Sequence, residues 1–556
     1  EFEDKLERGD FAKKERRPDL VLDKEAEELR VSMEKAKRDY MMGLESDRRA
    51  RRSLQLKLYE GAKEAVNTSR AIVTSFDVSA VGRQGGILVA AHPIQAGSAM
   101  ADMFESFASE KGASRAAHEL SQRKNAALYR RAKLSLTDIN GNLSQQEEVY
   151  MSYWAKSIPG VRGSERAYVA FLNRIRADVF DSMVATLGQS GTVTEAEAKI
   201  IANYVNVATG RGDLGRAAAG AEALATVFFA PRYVLSRFQY LTLQPLRKGL
   251  LSGEESWRAR KLIAKEYARS IAGLGVFYGT AAALLFATVG PPGDDKKWDV
   301  EFDPRSSDFL KIRIGKTRID PMAGLQQATV LLSRLISGET KAAQGNIIPI
   351  RGEGYRFGIG NTADVIARFA RTKLSPVFAS GIDLLSGTDV VGGPVTLGSE
   401  AAELVIPLNM RDIYEATKEQ GMPAVAAITF LSLFGIGVQT HQQRMSNIGD
   451  PVADKIVNNW NKANEKDIWS PEGPALSFEI KGKNVYLGAK RYDEYKELAG
   501  RKSLEILRAR LQRLDDAGNP VKPEKPTERD LKVVRESLED GRRAAREELK
   551  TKWGMR

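Results

Sequence analysis

Residues Ile271–Val289 read IAGLGVFYGTAAALLFATV, 19 consecutive positions without a charge in a chain that is otherwise polar and rich in lysine and arginine. At about 1.5 Å per residue such a helix spans roughly 28 Å, close to the hydrocarbon thickness of a bilayer. Arg258, Arg260, Lys261, Lys265 and Arg269 precede the run, and Gly290-Pro291-Pro292 closes it. Basic residues on that side would hold the N-terminal end at a cytoplasmic face. Gly275 and Gly279 supply a small-xxx-small pair that lets helices touch, leaving Phe277, Leu284, Leu285 and Phe286 for contact with lipid or with a neighbouring helix. Gly and Ala make up much of the run and drive insertion only weakly, so a buried bundle helix is the competing reading.

A second uncharged run, Gly421–Thr440, reads GMPAVAAITFLSLFGIGVQT. Phe430, Leu433 and Phe434 are its bulkiest contact candidates. Pro423 and Gln439 weaken it, and it has no strong basic flank. Two such marginal segments suit a protein that is soluble in one state and enters a membrane in another, because burial in protein and burial in lipid would then differ little in free energy.

The rest of the 556-residue chain reads mostly as helix. Over Asp23 to Thr74, Leu29, Met33, Tyr40, Leu44, Leu54 and Leu58 recur at helical spacings with no proline between them. One narrow stripe on so long a helix predicts pairing with another helix or subunit. Helical spacing returns from Ser98 to Leu187, and Thr194 with Glu197 forms a capping box ahead of a helix over Ala198–Val207. Ala217–Val227 reads as a tightly packed helix, and Thr362–Lys373 as a helix inside a Gly- and Pro-rich region. Strand signals are confined to Phe309–Ile314 with Thr317–Ile319 across a Gly315-Lys316 turn, and to Leu476–Ile480 with Val485–Leu487. Pro520, Pro523 and Pro526 make a stiff linker between charged helices over Leu504–Leu514 and Glu528–Lys552. The fold class expected is mainly α, an elongated multi-helix bundle with one or two small β-hairpins. Its segments are a long N-terminal arm (1–80), a bundle (81–250), the apolar helix (251–300), a hairpin and Gly-rich region with the second apolar run (301–445), and a C-terminal hairpin with a charged helical tail (446–556).

The formal charge of +12 favours a polyanionic neighbour, such as double-stranded DNA or an anionic lipid surface. Arg48, Arg49, Arg51 and Arg52 are the densest basic cluster and the candidate contacts to DNA phosphates, although a solvated helix face has the same composition. There is no cysteine, which removes disulfides, thiolate catalysis and Cys-based metal sites. The first twenty residues are charged, so no secretory signal is legible; with Glu1 at the front, the expectation is a cleaved leader or a piece of a longer chain.

No constellation for an enzyme emerges. His92, His118 and His441 are scattered and form no HExxH pair, so neither a metal nor a cofactor is expected. Gly210-Arg211-Gly212-Asp213-Leu214-Gly215 spells GxGxxG but follows a helix rather than a strand, which makes it a helix-terminating turn with positive φ angles. Asp138, Asn140, Asn142 and Ser144 imitate a calcium loop, yet Leu143 stands where Gly is needed and Val149 where Glu is needed.

Several phrases resemble the large polyvalent proteins and internal virion, or ejection, proteins of tailed bacteriophages. They are Asn206-Val207-Ala208-Thr209-Gly210-Arg211-Gly212, Phe228-Phe229-Ala230-Pro231-Arg232-Tyr233, Ile319-Asp320-Pro321, Phe434-Gly435-Ile436-Gly437-Val438-Gln439-Thr440, and Tyr492-Asp493-Glu494-Tyr495 before Leu498-Ala499-Gly500. Together they lie between Asn206 and Gly500, and each is short. The resemblance implies a helical module carried in the virion interior and delivered with the genome into the host envelope, where it assembles into a homo-oligomeric ring. Other virion or ejection proteins, double-stranded DNA bound without sequence preference and the bacterial inner membrane would be its partners. The alternative is a soluble nucleic-acid-binding accessory protein co-injected with the DNA. The lack of disulfides and the low contact order of helices agree with passage through a narrow tail.

Overall fold

A computed structural model describes residues 80–137, 159–215, 224, 227–247, 256–289, 298–315, 317–342, 345–352, 360–386, 435–440, 448–464 and 469–555 apart from 470, 472 and 476, with isolated positions between 29 and 51. The chain is mainly α, with short antiparallel strand pairs. It divides into two compact units, one taking in Glu1–Ser333 and Ala367–Thr440, the other Arg334–Ile366 and His441–Arg556.

In the first unit a π-helical turn, Ala80–Gln84, leads into α1 (Gly86–Ala91), α2 (Pro93–Ala108), α3 (Glu110–Gln122) and α4 (Ala126–Arg131). The Ser109 side chain caps α3 by accepting from the Lys111 and Gly112 N–H groups, which satisfies two donors that have no carbonyl partner in a first turn. α5 (Pro159–Gly188) is the central helix. Its Phe171, Leu172, Ile175, Val179 and Phe180 are fully buried, so it is packed around most of its circumference rather than on one stripe. α6 (Glu195–Ala208) starts one turn earlier than the periodicity indicates and carries the expected capping box, with Thr194 N–H donating to Glu197 at 2.9 Å and Glu197 N–H to Thr194 at 3.2 Å. α7 (Pro231–Leu241), the one-turn α8 (Gln244–Arg247) and α9 (Trp257–Val289) complete the helical layer.

A small sheet follows. β1 (Trp298–Val300), β2 (Ile312–Ile314) and β3 (Thr317–Asp320) form an antiparallel meander, with Ile312 opposite Ile319. The predicted hairpin is therefore present with a shorter first strand. The outer neighbour of β3 is β6 (Gly437–Thr440), with Val438 opposite Ile319. The end of the second apolar run is thus strand, not membrane helix: Gly435 at φ +78° breaks helical geometry, and the following four residues pair with β3. Phe430, Leu433 and Phe434 lie outside the described residues. α10 (Leu325–Ser337) follows β3, and α11 (Thr362–Arg371) and α12 (Pro376–Ser386) form a helical corner closed by the Arg371–Asp383 ion pair.

The second unit holds a further hairpin, β4 (Glu339–Lys341) with β5 (Ile347–Pro349), which the sequence reading missed. Its core is built by α13 (Pro451–Ala463), the predicted hairpin of β7 (Ser477–Ile480) and β8 (Lys483–Tyr486), and the antiparallel helices α14 (Ala489–Asp516) and α15 (Glu528–Lys552). Ile456, Val457, Leu507, Leu531 and Val534 make one apolar cluster; Phe478, Tyr495, Leu498, Ala545 and Leu549 make another. α14 and α15 pack tightly at Gly541, where a Cβ would sit 2.3 Å from the Ser503 Cα.

Candidate membrane-contact helix

α9 is one unbroken 33-residue helix with two different environments along its length. In the first half Ala259, Ile263, Glu266 and Ser270 are buried, and Gly273 continues the same stripe at helical spacing. Tyr267 adds an aromatic anchor: its ring stacks on Tyr240 of α7 at a centroid distance of 4.4 Å and lies 5.7 Å from Tyr204 of α6. Its hydroxyl donates to the Tyr240 carbonyl at 3.1 Å. Burial of such a ring contributes on the order of 2 kcal/mol, so this half is firmly docked.

Polar contacts fix its orientation. Arg258 donates to both Glu197 oxygens, at 3.0 Å, and Ser256 adds a bond of 2.7 Å. The start of α9 is thereby tied to the capping box of α6. Burial works against the Glu197 carboxylate, but the Thr194 N–H, Ser256 and Arg258 outweigh it and hold its pKa below the ordinary range. Further along, Nε2 of His92 lies 2.7 Å from Glu266, with both side chains almost wholly buried, and Arg269 binds the other Glu266 oxygen at 2.8 Å. Immediately beyond, Gly273 packs so tightly on α1 that a Cβ would fall 2.0 Å from the Ala90 carbonyl oxygen. Sequence inspection singled out Gly275 and Gly279 as the close-contact pair. Neither meets another atom among the described residues of this chain, where Gly273 makes the close approach. The signal was present: Ala259, Ile263, Glu266, Ser270 and Gly273 recur at four, three, four and three, the period of a docked stripe that ends on its smallest member.

Past Gly273 the environment changes. Leu274, Tyr278, Ala281, Ala282 and Leu285 are half-buried, and the Tyr278 hydroxyl donates to the Leu310 carbonyl ahead of β2. The other large apolar side chains of the run are bare. Ile271 is 70% exposed, Val276 69%, Leu284 66% and Phe286 58%, while Phe277 is 37% exposed. Over the most apolar window of this helix only 6% of positions are buried. A core helix has the reverse pattern, so among the described residues this run lacks the burial that the bundle reading requires. Of the basic flank, Arg258 and Arg260 serve the fold, the latter donating to the Leu246 carbonyl of α8, whereas Lys261 and Lys265 are exposed.

Beside the bare helix the end of β3 carries Asp320, whose carboxylate accepts from the Met322 N–H at 3.0 Å. Burial raises its pKa, opposed by that bond and by the charges of Lys311 and Lys373. Burial in turn lowers Lys373 to about 8, only partly offset by Asp320; its ammonium lies over the Phe369 ring and donates to Gln327.

The remaining phrases singled out in the sequence serve architecture. Asn206 accepts from the Ser135 N–H at 2.8 Å, and the fully buried Arg176 donates to the Thr209 hydroxyl at 2.8 Å and the Ser135 carbonyl at 2.9 Å. Gly210 and Gly215 hold φ of +84° and +53°, and Gly212 has no room for a Cβ beside the Arg232 carbonyl, so the GxGxxG stretch is the helix-ending turn expected. Tyr233 places its hydroxyl 3.0 Å from the Ala323 carbonyl, joining the α7 phrase to the one after Asp320. Tyr495 packs edge-on against Phe478 within the second unit. No cluster of three or more His, Asp or Glu suited to a metal occurs among the described residues. The calcium-like stretch from Asp138 and most of the N-terminal arm fall outside them. Leu29, Met33, Tyr40 and Leu44 are helical and exposed, and Arg51 is exposed at a turn; Arg48, Arg49 and Arg52 are among the undescribed residues.

Comparison with protein-family models, curated proteins and solved structures gave no match.

Proposed function

We propose that this chain is a structural protein that contacts a lipid bilayer through the second half of α9, and that it belongs to the internal virion, or ejection, class of tailed-phage proteins, released with the genome to help DNA cross the host envelope. The observation that carries the membrane reading is the uncharged surface of α9, left open by a helix whose first half is anchored in the core. Eight Ile, Leu, Val or Phe residues in Ile271–Val289 favour insertion by roughly 2–5 kcal/mol in sum, which makes lipid contact favourable without making the segment an obligate span. The phage assignment is supported by the ordered phrases between Asn206 and Gly500 and by a cysteine-free helical chain suited to threading. The ring and the DNA contacts by the Arg48–Arg52 cluster belong to the same proposal.

Flotation of the full-length protein with liposomes, followed by electron microscopy of the lipid-bound fraction, tests it. The expected result is co-flotation and annular particles with a lumen that admits duplex DNA. A protein that stays at the bottom of the gradient under every lipid and pH condition, and shifts duplex DNA with a steep salt dependence, would instead be the soluble accessory protein.

A further inference from the structure

The exposed line along α9 does not begin with its apolar residues. Lys261, Lys265 and Arg269 stand four residues apart, and the same side continues through Ala272, Val276 and Thr280. All six are exposed. Arg269 is neutralised by Glu266, but no ion pair among the described residues compensates Lys261 or Lys265. A helix surface that turns from uncompensated positive charge to bare hydrocarbon within two turns matches the layering of a bilayer leaflet with anionic headgroups. Resting on the membrane reading above, we infer that α9 recognises anionic phospholipid, with Lys265 at the headgroup phosphates and Lys261 in the diffuse field just outside them.

The spacing supports this assignment. Lys265 lies six residues before Ile271, about 9 Å along the axis, within reach of a headgroup layer roughly 5–8 Å deep once its flexible stem is counted. Lys261 lies about 15 Å out, beyond direct contact but within about one further Debye length of the surface. Arg258 and Arg260 cannot share the task because their guanidinium groups are bonded to Glu197 and the Leu246 carbonyl. DNA is the less favoured polyanion for these lysines, since docking a duplex against them would bring the adjoining bare hydrocarbon no burial.

The test uses full-length protein with vesicles of phosphatidylcholine alone and vesicles doped with phosphatidylglycerol, in low and high salt. Wild type is expected to bind the anionic vesicles more tightly. Lys265→Gln and Lys261→Gln should each weaken that binding by on the order of fivefold at low salt, Lys265→Gln at least as much as Lys261→Gln, and leave binding to neutral vesicles unchanged. Inorganic phosphate at equal ionic strength should compete no better than chloride. Equal wild-type binding to both vesicle types, or Gln variants that bind anionic vesicles like wild type, would overturn the inference while leaving membrane contact standing; absence of binding to any vesicle would remove both. Loss of duplex DNA binding by the variants with vesicle binding intact would assign the lysines to nucleic acid and also overturn it, as would specific displacement by phosphate. Both positions are exposed, and far-ultraviolet circular dichroism checks that the variants are folded.

Discussion

Two glycines a half-turn apart on α9 have opposite surroundings. Gly273 abuts the Ala90 carbonyl, and Gly275 meets nothing described within 4 Å. Gly273→Ala is therefore expected to destabilise the protein by about 1–3 kcal/mol or more, since backbone must shift, while Gly275→Ala should stabilise it by about 0.5–1 kcal/mol through helix propensity alone. Thermal unfolding of the two variants in lipid-free buffer measures the difference. His92→Ala removes one partner of a buried pair and leaves a Glu266 oxygen without its donor. It should cost about 3 kcal/mol, the lower end for broken buried pairs because Arg269 still serves the other oxygen. Asp320 and Lys373 set a pH dependence. A raised carboxylate contributes stability that is present in acid and lost as pH rises through its folded pKa. A lysine lowered to about 8 leaves the unfolded chain binding more protons between about 8 and its usual 10.5, so stability from that group rises across the interval. Lys373→Met should flatten the alkaline rise in a denaturant-midpoint series measured against pH.

Helix ends show how local chemistry decides an element. Thr194 and Thr527 each accept from the N–H three residues on, while the Glu197 and Asp530 side chains return a bond to the capping residue. Thr194→Ala and Thr527→Ala should each lower stability by about 1 kcal/mol by urea denaturation. The capping box of α6 and the bounds of α15 were legible because caps depend on neighbours in sequence. The hairpins at β2–β3 and β7–β8 were legible for the same reason. What was not legible depended on distant partners. β6 hides inside an apolar run because its ladder partner, β3, lies more than a hundred residues earlier, and nothing in GVQT alone announces that pairing. β4 and β5 are only three residues each and flank a Gly345 at φ +93°, too brief for period two to register. On α9 the apolar run and its basic approach were plain, yet which glycine packs was decided by α1, and only the longer stripe from Ala259 carries that information.

At the scale of the molecule, the same 33 residues must satisfy a protein interior and a second medium. Charged substitutions on the bare side separate those demands. Val276→Asp with Phe286→Asp should change folding stability by less than about 0.5 kcal/mol per site, since both residues are mostly exposed. In lipid each charge costs about 2.5–3.5 kcal/mol near mid-span, so vesicle partitioning should fall by two orders of magnitude or more for the pair. Paired unfolding and flotation measurements would expose any mismatch; a double variant that unfolds readily would show that this side is covered by protein.

No proline interrupts α9 between the Tyr267 anchor and Val289. A rod clamped at one end and free along the other transmits angle as well as force. Whatever grips the free end therefore dictates the tilt of the helical body attached to it. Copies gripped alike in one plane would all lean the same way, so a shared heading would be imposed before any two of them touched.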